Sequence, residues 1–318
     1  MKKTIWVFAA GAALGAAIAA KAVSEFQRDK RVALAVLRGR SDVIETACGP
    51  IEYVTAGGGP AVILVHGAGG GYDQSLAIAR LFGEGGFKFI AVSRPGYLRT
   101  PLASGRTPED MADLYAALLD ALNLRRAAIV GMSAGGPSSL QFALRHPDRC
   151  RGLVMLSAIN QALPALPEVV QMLQPTLNYS DIGVWLLNKF AWRFFVRVMG
   201  VSSEVMRQVE QSPEKIEAIH AILRGVSATM SVRRAGVLND IEMITALPFP
   251  PVDDLRAPTL VVHASNDPLV PFAQGQMLAD RVPGAQLVVL EDGGHLAVIT
   301  HFERIAPQLL AFLSAHQA

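Results

Sequence analysis

Short, unbroken apolar runs recur along most of this chain, each closed by glycine, proline or a polar turn. Residues 61–65 read Ala-Val-Ile-Leu-Val, the length and hydrophobicity of a strand covered on both faces of a sheet. Similar runs stand at 87–92, 127–130, 152–156, 258–262 and 286–290, and residues 51–55 add another strand. Between them the apolar period lengthens. Met111, Leu114, Tyr115, Leu118, Leu119 and Leu122 lie at helical spacing, behind Thr107 as N-cap and Pro108 at the first helical position. Residues 138–145 and 302–313 also read as helices. Strand and helix alternate, which predicts an α/β fold with a doubly wound, mostly parallel sheet.

Residues 160–250 break that rhythm. Helical patterns at 169–173, 184–199 and 213–225 follow one another with no comparable strand between them. The pattern predicts a helical cap inserted into a core made of residues 46–159 and 251–318. Trp185, Phe190, Trp192, Phe194 and Phe195 crowd one of these helices and are expected in its core in preference to the substrate path.

The amino terminus is of another kind. Lys2 and Lys3 precede an uncharged stretch over residues 5–20 that ends at Lys21, so residues 1–21 have the layout of a signal peptide or a membrane anchor. Ala17-Ile18-Ala19 resembles a cleavage site. Arg28, Lys30, Arg31, Arg38 and Arg40 pull the downstream side toward the cytoplasm and favour an uncleaved anchor, with export after cleavage as the alternative. Val23, Phe26, Val32, Ala33, Val36 and Leu37 give the linker at 22–45 an amphipathic helix.

Composition narrows the choices. A net charge of +2 with scattered basic residues gives no footprint for nucleic acid. Cys48 and Cys150 have no metal-type spacing, so neither a disulfide framework nor a zinc site is implied. No metal or cofactor is expected.

Candidate chemistry begins where the 127–130 run stops. Gly131-Met132-Ser133-Ala134-Gly135 places a serine on a sharp turn from strand to helix, between residues too small to obstruct it. Ser133 is the candidate nucleophile. A free hydroxyl is a weak nucleophile and needs a base, which in turn needs an acid to fix its tautomer. Asp267 and His295 each follow one of the last two strands and supply those roles. Asp292, close to His295 in sequence, is expected to orient that loop instead. His66-Gly67-Ala68-Gly69-Gly70-Gly71, after the 61–65 strand, is a backbone cradle for an anion, and its His66 reads as structural. The other histidines carry no motif, and Asn239-Asp240 and Asp253-Asp254 read as cap and turn residues.

Taken in order, His66-Gly67, Arg94-Pro95-Gly96-Tyr97, the Gly131 to Gly136 turn, His146-Pro147, Asp267 and Gly294-His295 resemble the α/β-hydrolase superfamily from about residue 51 to the carboxyl end. The serine separates the chain from haloalkane dehalogenases and epoxide hydrolases, which it otherwise resembles. Ser93 and Leu98 depart from the aspartate and glycine that members often carry beside Arg-Pro-Gly. The resemblance implies a cofactor-independent hydrolase with Ser133, Asp267 and His295 as triad. The backbone amides of Ala134 and Ala68, with Gly67 next to be suspected, would form the oxyanion hole. An apolar carboxylic ester is the expected substrate, cleaved through an acyl-enzyme. Carbon–carbon bond hydrolysis or perhydrolysis on the same triad, and a noncatalytic binding role, are the alternatives.

Overall fold

The computed structural model describes residues 2–83, 85–163 and 167–317; side chains at 2–14, 178, 221, 222 and 224–227 lie outside that description. The chain opens with helix α1 (Lys2–Arg38), then strands β1 (Asp42–Ile44), β2 (Ile51–Gly57) and β3 (Ala61–Val65). Helix α2 (Tyr72–Phe82), β4 (Lys88–Val92), α3 (Pro108–Ala121), β5 (Ala127–Met132), α4 (Gly136–Arg145) and β6 (Cys150–Leu156) complete the first part of the core. Five helices follow without a strand: α5 (Glu168–Tyr179), α6 (Asp181–Val198), α7 (Ser203–Gln211), α8 (Pro213–Ser227) and α9 (Arg234–Thr245). The core resumes with β7 (Thr259–Ala264), α10 (Phe272–Arg281), β8 (Gln286–Leu290), α11 (Ala297–Thr300) and α12 (Phe302–Ala315).

The strands form an 8-stranded sheet in the order β1-β2-β4-β3-β5-β6-β7-β8. β2 runs antiparallel to both β1 and β4, and the remaining pairs are parallel. Every residue of β3 and β5 is buried, as their unbroken apolar runs require. Alternate side chains serve opposite faces. Val62, Leu64 and Val130 join one core layer with α2 and α12, while Ile63, Val65 and Ile129 join the other with α3, α4 and α10. The start of α3 is fixed by a reciprocal pair of bonds: Asp110 N–H donates to Thr107 Oγ1 and Thr107 N–H to an Asp110 carboxylate oxygen, each at 3.1 Å.

Several elements differ from their sequence patterns. α1 continues unbroken past residue 21, where the sequence suggests a boundary, because its alanine-rich stretch contains no helix breaker stronger than glycine. Its apolar stretch lies largely on residues whose side chains are not described. Among the described residues no single helix is long and apolar enough to cross a membrane. Phe190 and Phe194 are 74% and 50% exposed rather than packed in a core, and only part of the aromatic cluster points inward. Trp185 is buried against Phe26 of α1, with ring centroids 5.9 Å apart, and its indole N–H donates to Asp29.

The inserted helices are fastened to the sheet by a buried ion pair. Arg94, just after β4, donates from Nη1 and Nη2 to the two carboxylate oxygens of Asp240 at 2.7 and 2.6 Å, and both side chains are shielded from water. Asp240 therefore lies inside α9 as a buried anchor, not in a turn. Burial alone would drive the guanidinium toward neutrality, but the facing carboxylate raises its pKa and holds its charge. Arg94→Met should leave Asp240 buried and unpaired, lowering the unfolding free energy by about 3–5 kcal/mol. Denaturant titration of the variant beside the wild type checks this.

Candidate active site

The sheet brings the predicted groups to one edge because parallel strands end together. Ser133 follows β5 near the middle of the sheet, and the His66 loop follows its neighbour β3. Asp267 and His295 follow β7 and β8. The Ser133 backbone sits at φ 48°, in the left-handed region that most residues avoid. The close approach of its surroundings explains the flanking glycines. A Cβ at Gly131 would lie 2.6 Å from Ser139 Oγ, and one at Gly135 would lie 2.6 Å from Val65 O.

The three side chains form a continuous chain of hydrogen bonds. His295 Nδ1 lies 2.8 Å from Asp267 Oδ2, and His295 Nε2 lies 3.0 Å from Ser133 Oγ. Asp267 accepts two further bonds on Oδ1, from the Leu269 and Val270 amides at 2.9 and 3.0 Å. Burial works to raise the Asp267 pKa, but His295 and the two amides outweigh it and hold the carboxyl below its ordinary range. An ionised Asp267 accepts from Nδ1–H, which leaves Nε2 free to take the hydroxyl proton of Ser133. Asp292 accepts from Gly293 N–H, within the loop that carries His295, and from Asn266 Nδ2 of the loop that carries Asp267.

The His66 loop has its own bonding pattern. His66 is fully buried; its Nε2 accepts from Arg94 N–H at 2.9 Å, so its Nδ1–H donates to Gly67 O at 2.7 Å. Burial, assisted by the Arg94 charge, pushes its pKa well below the usual 6.5. Gly67 N–H donates to Gln74 Oε1 at 3.0 Å, Gly69 N–H to Tyr97 Oη at 3.4 Å, and Gly70 N–H to Gly67 O at 3.2 Å. Gly67 is thereby engaged, and Ala68 is the exposed residue of the loop at the cavity wall. Ala134, in the turn Ser133–Gly135 that precedes α4, directly follows the serine.

Ser133, His295 and Ala68 open into a cavity of about 320 Å³ between the sheet edge and the inserted helices. Its described walls are mostly apolar, with Leu173, Val184, Phe195, Val198 and Met230 contributed by the insertion. Phe195 thus meets the cavity, whereas Trp192 packs against the core and the His220 ring. Ser157 Oγ, just past the end of β6, is buried there without a hydrogen-bond partner among the described residues. Among the described residues no cluster of side chains could hold a metal ion, and both cysteines are free thiols, Cys48 exposed and Cys150 buried.

A profile for the alpha/beta hydrolase fold matches residues 60–302. The chain belongs to that family. An alpha/beta hydrolase fold protein from Nakamurella multipartita is 32% identical over 86% of this α/β hydrolase and 98% of its own chain, with a TM-score of 0.77. A 2-hydroxy-6-oxononadienedioate/2-hydroxy-6-oxononatrienedioate hydrolase from Burkholderia vietnamiensis is 29% identical over 81% of this chain and 88% of its own. A thermophilic esterase from Thermogutta terrifontis shares the fold at 22% identity, with a TM-score of 0.66 and coverage of 88% and 100%.

Residues to which the sequence assigns no role complete the surroundings of this α/β hydrolase site. His263, on β7, lies beneath Asp267 with Nε2 3.6 Å from Oδ2 and 2.9 Å from Val270 O. Gln74 holds the His66 loop, and Met199 O, at the end of α6, accepts from His295 N–H at 2.7 Å. No local pattern marks any of them, since each acts through a partner distant in sequence.

Burial lowers the pKa of both His66 and His263 from the usual 6.5, so folding favours the neutral ring at each. On unfolding each regains its ordinary pKa, so their contribution to stability is full above that value and is lost as the pH falls below it. The expected slope is up to about 1.4 kcal/mol per pH unit for each group, down to its folded-state pKa. Denaturant unfolding between about pH 7.5 and 5 should show this decline, with a shallower slope in His263→Gln.

Proposed function

We propose that this α/β hydrolase cleaves neutral carboxylic esters with apolar acyl groups. The reading rests on the hydrogen-bonded chain from Asp267 through His295 to Ser133 opening into an apolar cavity. His295 takes the proton of Ser133 as Oγ attacks the ester carbonyl. The carbonyl oxygen gains charge and is met by the amides of Ala68 and Ala134, each donor contributing about 3 kcal/mol in the transition state. His295 then gives its proton to the departing alkoxide, leaving an acyl group on Ser133. Water, deprotonated by His295, attacks the acyl carbon, and the acid leaves as Ser133 recovers its proton.

A second reading, carbon–carbon bond hydrolysis, is supported by the activity named for the Burkholderia relative. The same nucleophile and oxyanion donors would serve a vinylogous diketone. The apolar cavity favours the ester.

A panel of p-nitrophenyl esters of graded chain length, set beside a vinylogous diketone, separates the two. Turnover of the esters is expected, with a fluorophosphonate labelling Ser133. Ser133→Ala should lose at least about 10⁴-fold in kcat while its unfolding midpoint stays near that of the wild type. Diketone turnover without ester turnover would overturn the ester reading, and full activity in Ser133→Ala would remove the serine from the chemistry.

The cavity wall generates a further expectation. Phe195→Trp should move the ester preference toward shorter chains, since added volume on that wall shortens the space available. Phe190→Ala, on the exposed side of α6, should leave the preference in place; kcat/KM across the same panel reads both.

A further inference from the structure

The segment leading into α9 grips the His66 loop at more than one point. Arg233, fully buried, donates from Nη1 to the carbonyl of Gly70 and to Asp73 Oδ1 at 3.1 Å, and from Nη2 to Asp73 Oδ2 at 2.8 Å. Gly70 lies in the loop, and Asp73 lies in the first turn of α2, which follows it. The guanidinium sits directly against the chain here: a Cβ at Gly71 would come within 2.8 Å of Nη1. Two helical turns further on, Asp240 accepts from Tyr97 Oη at 2.5 Å, and that same hydroxyl receives the Gly69 amide. Between these points Gly236 N–H donates to Gly96 O at 2.9 Å, and just before Arg233 the Val232 carbonyl accepts from Leu98 N–H at 2.8 Å.

Ala68 therefore has neighbours on its carboxyl side that are held by the insertion: Gly69 through Tyr97 and Asp240, and Gly70 through Arg233. On its amino side, Gly67 is held by Gln74, whose helix starts beside the Asp73 carboxylate. We infer that Arg233 is a positioning residue for catalysis, fixing the aim of the Ala68 amide at the developing oxyanion through Gly70 and Asp73. This deepens the ester-hydrolase reading and rests on it. It makes the start of α9 part of the machinery.

An oxyanion donor acts on charge that exists only in the transition state, so a misaimed amide slows turnover without weakening substrate binding. Arg233→Met should lower kcat about 10- to 100-fold with KM within about threefold of the wild type. Its inhibition constant for an apolar trifluoromethyl ketone, which forms a hemiketal oxyanion on Ser133, should rise by a similar factor. Arg233→Lys, which restores the charge but not the two-pronged geometry, should fall between. A packing role alone predicts something else: less folded protein, with unchanged kcat and inhibition constant per fluorophosphonate-titrated site, and that result overturns the proposal. If Arg233→Met does not fold, Asp73→Asn decides. It should show a smaller parallel change in kcat and inhibition constant, and no change in either again overturns the assignment. Failure of the underlying reading is visible separately, as wild-type protein that turns over none of the esters.

Discussion

A serine held at φ 48° between a buried strand and a helix is the constraint on which the surrounding architecture depends. Such a backbone persists only where its neighbours over-determine it. Here the neighbours are close: the Val65 and His66 carbonyls stand against Gly135, and Ser139 stands against Gly131. The first of those contacts exists because β3 and β5 are adjacent and parallel in the middle of the sheet, and the second because α4 folds back on β5. The same adjacency sets the His66 loop beside Ser133, and β7 and β8 bring Asp267 and His295 from the other side. One packing arrangement thus strains the serine, walls the space next to it and sets an imidazole within hydrogen-bonding distance of its hydroxyl.

The inserted helices act on both flanks of that arrangement. At one end of α6, Met199 O accepts the His295 amide and Gly200 O accepts from Asn266. Before and within α9, Arg233 and Asp240 hold the His66 loop. The insertion is therefore a wall of the cavity and also a support for the loops on each side of it. Its buried charges are paired and specific, and they fasten two parts of the chain that would otherwise meet only through apolar contact.

Much of this was legible in the sequence, for a physical reason. Strands buried on both faces need unbroken apolar runs, and a serine on a tight turn needs small neighbours, so β3, β5 and the turn at Ser133 announce themselves locally. The order of the remaining polar groups followed from the strands they terminate. What stayed hidden depends on distant partners. Asp240 looks like a turn residue beside Asn239, and its meaning comes from Arg94, 146 positions away. Helix α10 was obscured by Gly275, which interrupts its pattern because a Cβ there would lie 2.6 Å from His263 Nδ1. The aromatic crowding in α6 gave the wrong expectation for Phe190 and Phe194, since spacing alone does not say which face of a helix has a neighbour.

Helix α1 touches both halves of the molecule. Phe26 packs on Trp185 of α6, Lys30 pairs with Asp181 at the start of that helix, and Leu37 O accepts from Tyr72 Oη of α2. With 37 residues it is a rod about 56 Å long. In mechanical terms its second half is a tie bar bolted across the seam between α6 and α2, so any hinge there must carry the bar along or shear its fastenings.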